Sequence, residues 1–266
     1  MDKDSILSTT EGPIGIISIN NPQRKNAVTN QMLKEIDRVL QHMEKSEIRA
    51  VVLKGAGDRI FCSGFDVTTF SDVLSDLQEA SEREEKADYL RLTLRRIENV
   101  GMPVIAMING HCIGAGVDIA LACDFRYAAA GVKLQVPPAK LGIIYNGDGI
   151  RRAINILGLA RAKELFFLGE SVSSEEAFAM GLVNRVHPVE DLPRHTMHVA
   201  QTLAENSPLA LKGMKKVFRF CLEHQGLSRE REAEIDRLII DAMRSEDAAE
   251  ALKAFSERRK PQFKGK

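Results

Sequence analysis

The sequence has no excess of either charge and no apolar run long enough to cross a bilayer. Lysine plus arginine equals aspartate plus glutamate, at 37 each, so no net field favours nucleic acid or an anionic membrane surface. The apolar runs fall well short of the roughly 20 residues of a membrane helix. The first residues lack the cationic and apolar regions of a signal peptide. We therefore expect a soluble cytoplasmic protein, with neither nucleic acid nor membrane as a partner.

Several chemistry-bearing motifs are also missing. The four cysteines form no CxxC pair and are interpreted as reduced thiols, because a chain of this length gains little from disulfides. No segment completes GxGxxG or a P-loop, so neither a nicotinamide nor an ATP site is predicted. His195 and His198 have the spacing of metal ligands, yet no third ligand of matching spacing follows. We therefore predict no metal and no separate cofactor.

Patterns typical of strands alternate with patterns typical of helices along the chain. Thr29 is the predicted N-cap of the first helix, and the charge-rich residues 71–99 are predicted to form a solvated helix or a lid. After Val189 the pattern predicts helices, including two amphipathic ones near the C-terminus. This alternation indicates an α/β fold. The β-rich runs are residues 14–20, 50–53, 104–109, 125–128 and 134–136.

Two glycine-centred segments follow β-rich runs and carry the clearest chemical signal. They are residues 61–67, Phe-Cys-Ser-Gly-Phe-Asp-Val, and residues 109–118, Asn-Gly-His-Cys-Ile-Gly-Ala-Gly-Val-Asp. The second passes into a helical pattern, and a glycine turn that opens a helix presents unpaired N–H donors at the positive end of the helix dipole. If each segment brings one backbone N–H to a common point, the pair can stabilise a developing oxyanion.

At these segments the chain resembles the enoyl-CoA hydratase/isomerase, or crotonase, superfamily, and the resemblance covers nearly its whole length. A single matching motif is weak, but seven in the family's order are specific. The matching segments are residues 21–27 (Asn-Pro-Gln-Arg-Lys-Asn-Ala), 61–67, 103–110 (Pro-Val-Ile-Ala-Met-Ile-Asn-Gly), 114–118 leading to 122–124, 140–142 (Lys-Leu-Gly), 177–183 (Ala-Phe-Ala-Met-Gly-Leu-Val) and 255–261 (Phe-Ser-Glu-Arg-Arg-Lys-Pro).

The resemblance implies an α/β spiral of ββα units with a helical C-terminal region. Residues 1–200 would form the spiral core that binds acyl-CoA, and residues 201–266 the helical region that covers the cleft or joins subunits. Proteins of the family usually assemble as a trimer or a dimer of trimers. They bind acyl-CoA thioesters, so that coenzyme A belongs to the substrate, and they stabilise an enolate beside the thioester carbonyl. By position, the two oxyanion donors are the backbone N–H groups of Phe65 and Ala115.

The resemblance also implies where coenzyme A binds. Basic side chains are natural phosphate partners, so Arg24 or Lys25 is expected near the CoA phosphates, with Lys260 reaching in from the tail. A solvated basic tail is the alternative interpretation of Lys260. The further residues expected along the adenine and pantetheine path are Ala27, Ser63, Asp66, Val67 and Thr68.

The chain departs from the family's hydratases at both of their catalytic glutamates. The corresponding positions here carry Asp118 and Pro138, and proline cannot move a proton. Asp118 lies about one helical turn beyond Ala115 and is the predicted general acid/base. The alternative is that its carboxylate only offsets the helix dipole. Hydration, double-bond isomerisation and decarboxylation all stay open.

Tyr145 and Asp148 are the candidates for a second proton-handling group. Tyr145-Asn146 resembles a pair found in a decarboxylase of the family, although a tyrosine in an apolar loop is also a common packing anchor. Asp148 lies between two glycines before a helical pattern, where an N-cap role is the alternative. A crotonase-like scaffold that binds acyl-CoA without chemistry is the hypothesis from a different functional class.

Overall fold

The computed structural model describes residues 5–66, 89–137, 145–223, 230, 245–247, 250, 253–254, 257–259, 262 and 264–266. Within these residues the strands are β1 (Ser5–Glu11), β2 (Ile14–Asn20), β3 (Ala50–Gly55), β4 (Ile60–Cys62), β5 (Val104–Ile108), β6 (His111–Ile113), β7 (Phe125–Ala129), β8 (Lys133–Gln135), β9 (Ser171–Ser173) and β10 (Arg185–His187). The α-helices are α1 (Asn30–Glu44), α2 (Tyr89–Asn99), α3 (Ala115–Ala122), α4 (Gly147–Lys163), α5 (Ser174–Ala179), α6 (Leu192–Glu205) and α7 (Pro208–Glu223).

The strands form two sheets, and the chain passes repeatedly from one to the other. The larger sheet has the order β1-β2-β3-β5-β7-β10, antiparallel between β1 and β2 and parallel from there on. The smaller sheet has the order β4-β6-β8-β9, antiparallel only between β8 and β9. The successive pairs β3-β4, β5-β6 and β7-β8 each give one strand to each sheet, so the chain advances as a spiral. The predicted α/β architecture is confirmed.

The core lies between the larger sheet and the helices that cover it. All five residues of β5 are buried, as expected for a central parallel strand that is covered on both faces. Thr29 caps α1 by accepting a hydrogen bond from the Met32 N–H, which confirms the predicted N-cap. Helix α1 buries one apolar stripe consisting of Met32, Leu33, Ile36, Leu40 and Met43. No helix in the described part of the chain has the length and apolar character of a membrane span.

The five predicted strands are present as β2, β3, β5, β7 and β8, and the helix predicted after the second glycine segment is present as α3. The other five strands, β1, β4, β6, β9 and β10, were not predicted. The part of the predicted lid at residues 71–88 lies outside the described residues, and α2 forms the rest of that segment. Most of the two C-terminal helices predicted at residues 235–242 and 248–255 likewise lies outside them. The division of the chain at residue 200 stays a prediction.

The turn from β5 to β6 joins the start of the second glycine segment to the residues between β3 and β4. The Asn109 side-chain amide donates to the carbonyls of Gly55 and Gly57 and accepts from the Gly55 N–H. Next to it, Gly110 lies against the backbone of Arg59, and a Cβ built on Gly110 would stand 2.2 Å from the Arg59 carbonyl carbon. Only a residue without a side chain fits between these backbones, so Gly110 allows the second glycine segment to approach the chain that leads into β4.

Gly110→Ala is therefore expected to lower the free energy of unfolding by about 3 kcal/mol or more, because rigid backbone must move to admit the methyl group. Gly213→Ala is the matched control, since Gly213 lies in α7 with no atom within 4 Å of the added Cβ. In the helix that change should be neutral or stabilise by about 0.5–1 kcal/mol. Urea unfolding of both variants checks the difference, and equal midpoints would contradict the proposed close approach.

Candidate active site

The loop after β2 and the loop after β4 are joined side by side. The Ser63 N–H donates to the Lys25 carbonyl, and the Ser63 hydroxyl donates to the Arg24 carbonyl. Arg24 Nη1 lies 2.9 Å from both carboxylate oxygens of Asp66, and Ala27 is buried beneath the loop. These contacts bring together the predicted CoA-binding residues Arg24, Lys25, Ala27, Ser63 and Asp66. Val67, Thr68 and Lys260 lie outside the described residues.

The hydrogen bonds around Phe65 leave its own N–H turned away from the loop pair. Val28 forms a parallel bridge with Phe65, in which the Val28 N–H donates to Gly64 O and the Asp66 N–H donates to Val28 O. This pattern uses the backbone groups on either side of Phe65 and leaves its N–H on the opposite edge. Within the described residues no protein acceptor takes the Phe65 N–H.

The second glycine segment places the Ala115 nitrogen close to Gly64, the residue before Phe65. Ala115 is the first residue of α3, so its N–H has no acceptor within the helix, and none in the rest of the described chain. Gly64 and Gly114 both have positive φ, at 111° and 54°. A Cβ built on Gly64 would lie only 3.8 Å from the Ala115 nitrogen, so the two turns touch through their glycine faces. Ala115 itself has no positive φ, and the alanine is accommodated there.

Asp118 lies in the first turn of α3 and is completely buried. Its Oδ1 accepts from Arg152 Nη1 at 3.0 Å, and its Oδ2 accepts from Asn146 Nδ2 at 3.3 Å. The Tyr145 side chain is a third polar neighbour, and its interaction with the carboxylate lowers the pKa of Asp118. The site thus holds one buried carboxylate beside three donors, on the helix whose first N–H belongs to Ala115.

Two opposing effects act on the protonation of this carboxylate. Burial raises the pKa of Asp118 above its ordinary value, and the positive charge of Arg152 and the hydrogen bonds from Asn146, Arg152 and Tyr145 offset only part of that rise. The pKa of Arg152 is raised as well, since Glu98 and Asp118 together outweigh the desolvation of its guanidinium. The two shifts have opposite meanings. The raised pKa of Arg152 favours its charged form, because Glu98 and Asp118 are both anionic, whereas the raised pKa of Asp118 disfavours its charged form, because burial outweighs its one cation.

Tyr145 connects Asp118 to the glycine turn. Its hydroxyl donates to the Gly114 carbonyl at 3.4 Å and also interacts with the Asp118 carboxylate, so Tyr145 stands between the residue before Ala115 and the buried carboxylate. Burial first, and then the negative charge of Asp118, raise the pKa of the Tyr145 phenol well above its ordinary range. The phenol therefore keeps its proton at neutral pH. Its ring also packs on Phe166, with the ring centroids 4.9 Å apart.

The start of α4 forms the remaining wall of the site. Asn146 is the N-cap, since its Oδ1 accepts from the Gly149 N–H at 2.7 Å while its Nδ2 donates to Asp118. A Cβ built on Gly149 would lie 2.4 Å from Tyr145 Cε1 and 2.9 Å from Asp118 Oδ2. The Asn146 amide can donate and accept at once, and Gly149 leaves room beside it. The side chains of Tyr145, Asn146 and Asp118 can therefore approach one another.

Asp148 lies beside these residues but has different partners. The suggested N-cap role for Asp148 is wrong, because α4 begins earlier and Asn146 caps it. The Asp148 carboxylate forms ion pairs with Arg95 at 3.3 Å and Arg151 at 3.5 Å, and both arginines are exposed. A role for Asp148 in proton transfer stays a prediction. Pro138 lies outside the described residues.

Sequence reasoning missed Arg152 and its partner Glu98. Arg152 Nε and Nη2 lie 2.7 and 3.3 Å from the two carboxylate oxygens of Glu98, while Nη1 reaches Asp118. One signal was present, because Arg152 shares a helical stripe with the apolar positions Ala153 and Leu157, where arginine is uncommon. That signal identifies a buried charge but not its partner, which lies on another helix.

Comparison with known proteins agrees with this architecture. Residues 9–266 match the family described as Enoyl-CoA hydratase/isomerase. The Short-chain-enoyl-CoA hydratase of Clostridium acetobutylicum is 30% identical over 270 residues, which cover 98% of this chain and 97% of that protein. The Carnitinyl-CoA dehydratase of Salmonella typhi is also 30% identical, over 99% of each chain. The crystal structure of an enoyl-CoA hydratase from Bacillus anthracis has a TM-score of 0.86 at 30% identity and covers 98% of this chain and 99% of that one.

A spiral of paired strands, with two glycine turns in contact beside a buried carboxylate, defines a class of α/β enzyme. The chain belongs to the enoyl-CoA hydratase/isomerase family, and its fold is the crotonase fold. The predicted family is confirmed, and with it an enzyme of the acyl-CoA class.

The space left by Gly149 provides a direct test of the arrangement. Gly149→Ala is expected to lower the free energy of unfolding by about 1–3 kcal/mol, because the methyl group must displace the Tyr145 ring or the Asp118 carboxylate. Gly147→Ala, two residues earlier in the same turn, has no atom within 4 Å of the new Cβ and should change stability little. Thermal unfolding measured side by side separates the variants, and an unperturbed Gly149→Ala protein would contradict the packing described.

Proposed function

We propose that this enzyme stabilises the enolate of an acyl-CoA thioester between the Phe65 and Ala115 N–H groups, with Asp118 as the acid/base. The single observation that carries the proposal is that the two glycine turns lie in contact while neither N–H group has a protein acceptor in the described residues. Preorganised donors of this kind favour an anion more than a neutral carbonyl, because charge develops on the thioester oxygen as the α-proton leaves.

In this proposal Asp118 takes the α-proton of the thioester and returns it to carbon. Its place one turn beyond Ala115 supports the role, since the carboxylate and the oxyanion donor belong to the same end of α3. The raised pKa of Asp118 makes it a stronger base than an exposed aspartate. The phenol of Tyr145 supplies a second proton beside it. The proton shift between carbons requires one carboxylate, whereas the family's two-glutamate hydration requires two.

Coenzyme A enters as part of the substrate in this proposal, and no separate cofactor or metal takes part. Lys25 is the favoured phosphate partner, because Arg24 is held by the Asp66 carboxylate whereas the Lys25 side chain is exposed in the same loop. Ser63 and Ala27 fix that loop and line the CoA path. We further propose a homotrimer or a dimer of trimers in the cytoplasm, as the family resemblance implies.

Asp118→Asn is expected to slow α-proton exchange about 10²-fold or more while leaving CoA-thioester binding intact, because the amide keeps the shape but cannot accept the proton. The measurement is deuterium uptake at the α-carbon of butyryl-CoA in D₂O, followed by mass spectrometry, with binding measured by calorimetry. In the wild type kcat/KM should fall as pH drops through the pKa of Asp118. Because that pKa is raised, the acid limb lies above the ordinary aspartate value of 3.8.

Asp191→Asn is the matched control for this experiment, since Asp191 precedes α6 and its partly exposed carboxylate forms an ion pair with Arg194. It should exchange protons at the wild-type rate. Undiminished exchange in Asp118→Asn, or an acid limb that persists in that variant, would contradict the role of Asp118.

Decarboxylation is the second candidate, and the hydroxyl of Tyr145 between Gly114 and Asp118 favours it. There the phenol would protonate the enolate left after carbon dioxide departs. On this hypothesis the wild type removes carbon dioxide from methylmalonyl-CoA, and Tyr145→Phe slows the loss at least about 10-fold. Crotonyl-CoA and a 3-enoyl-CoA complete the panel, since their masses report water addition and double-bond migration. Methylmalonyl-CoA that stays intact contradicts decarboxylation.

The same panel tests the binding hypothesis. A scaffold without chemistry would bind the thioesters at micromolar concentration by calorimetry, yet leave the masses of all three unchanged and exchange no α-proton. That combined result would overturn the proposed enzyme reaction in favour of an acyl-CoA-binding protein.

A further inference from the structure

A chain of three charged side chains connects the predicted base to the protein surface. Glu98 on α2 holds Arg152 on α4, and Arg152 in turn holds Asp118 on α3. The Asp118 side chain is completely buried and that of Arg152 is 4% exposed, whereas that of Glu98 is 26% exposed. The three helices therefore meet at one guanidinium, with a carboxylate on either side of it.

The geometry of the guanidinium fixes its orientation from both sides. Its Nε–Nη2 edge forms a paired contact with the two oxygens of Glu98, which is the planar match that arginine makes with carboxylates. Only Nη1 is directed at Asp118, and it donates to Oδ1 and not to Oδ2. Oδ2 is thereby turned toward Asn146, on the side where Tyr145 lies.

We propose that Arg152, clamped by Glu98, is a positioning residue that keeps Asp118 ionised and turns its Oδ2 toward Tyr145. The proposal rests on the role of Asp118 in the proposed function. A carboxylate in a fully buried position is costly unless a cation and hydrogen bonds compensate for the lost water. Arg152 is the cation that compensates the Asp118 carboxylate for the lost water, and Glu98 keeps its guanidinium oriented toward Asp118.

The groups facing Asp118 from the described elements account for its charge balance. From α4 comes the cation of Arg152, and from the residues before and at its cap come the phenol of Tyr145 and the neutral amide of Asn146. Glu98 stands behind Arg152, and the buried thiol of Cys112 on β6 acts on Tyr145. Loss of Arg152 removes the only cation in this set, so the pKa of Asp118 must rise further.

The kinetic test is a double-mutant cycle on deuterium exchange into butyryl-CoA. Arg152→Gln should lower the exchange rate constant at saturation about 10-fold or more with little change in KM, because it acts on the base and not on binding. In an Asp118→Asn background the same change should have no further effect on exchange. Arg161→Gln, the same substitution farther along α4 at an exposed residue, is the matched control and should behave as wild type.

The second readout does not depend on turnover. In protein labelled with ¹³C at aspartate carboxyl carbons, the resonance that disappears in Asp118→Asn belongs to Asp118. Its titration should move to higher pH in Arg152→Gln, because the cation that lowered the pKa is gone. Arg152→Lys should keep the titration near the wild-type pH but lose part of the exchange rate, since lysine retains the charge without the planar fork.

Glu98→Gln covers the case in which Arg152→Gln does not fold. Its side chain is partly exposed and keeps a hydrogen-bonding amide, so the variant should fold and slow exchange about 3-fold or more at unchanged KM. Titration of Asp118 at the wild-type pH in Arg152→Gln, additive losses in the cycle, or wild-type exchange in all Arg152 and Glu98 variants would each overturn the inference. Loss of exchange in Asp118→Asn together with wild-type exchange in Arg152→Gln would overturn the role of Arg152 but leave the proposed function intact. Undiminished exchange in Asp118→Asn overturns the proposed function.

Discussion

The contact between the two glycine turns is the constraint on which the rest of the structure depends. Gly64 and Gly114 adopt positive φ and face each other, so two loops from successive turns of the spiral meet through backbone alone. A closer approach follows in α3, where a Cβ on Gly116 would lie 2.6 Å from the Cys62 carbonyl oxygen and would not fit. Because no side chain separates the loops, their N–H groups can be directed at one point.

The buried carboxylate poses the opposite problem, since it needs partners in order to exist there at all. Burial alone would neutralise Asp118, but the cation of Arg152 and the neutral donors of Asn146 and Tyr145 compensate in part. The balance leaves a base stronger than a solvated aspartate, held beside a phenol that keeps its proton. The backbone donors are thus held in place by contacts between strands and loops, whereas the charged side chains are held in place by the packing of helices.

Much of this arrangement was visible in the sequence, and the reason differs from part to part. Buried parallel strands appear as apolar runs, and glycine segments mark close backbone approach, so the sheets and both turns were predictable. The repeated strand pairs were expected only from the family resemblance and not from the residue pattern, since a buried strand accepts any apolar sequence that fits its neighbours. The ion pair of Arg152 with Asp118 joins two residues 34 positions apart on different helices, and only tertiary packing specifies which helix faces meet.

The wrong prediction of a cap at Asp148 shows that the start of α4 and the site around Asp118 depend on the same residue. Glycines on both sides made Asp148 resemble a helix start. The amide of Asn146, however, meets two requirements at once, and a carboxylate could meet only the capping one. Its oxygen caps α4 by accepting from the Gly149 N–H, and its nitrogen donates to Asp118. Aspartate at position 146 would place a second negative charge beside the buried carboxylate. Forming the first turn of α4 and assembling the site around Asp118 are therefore one structural event.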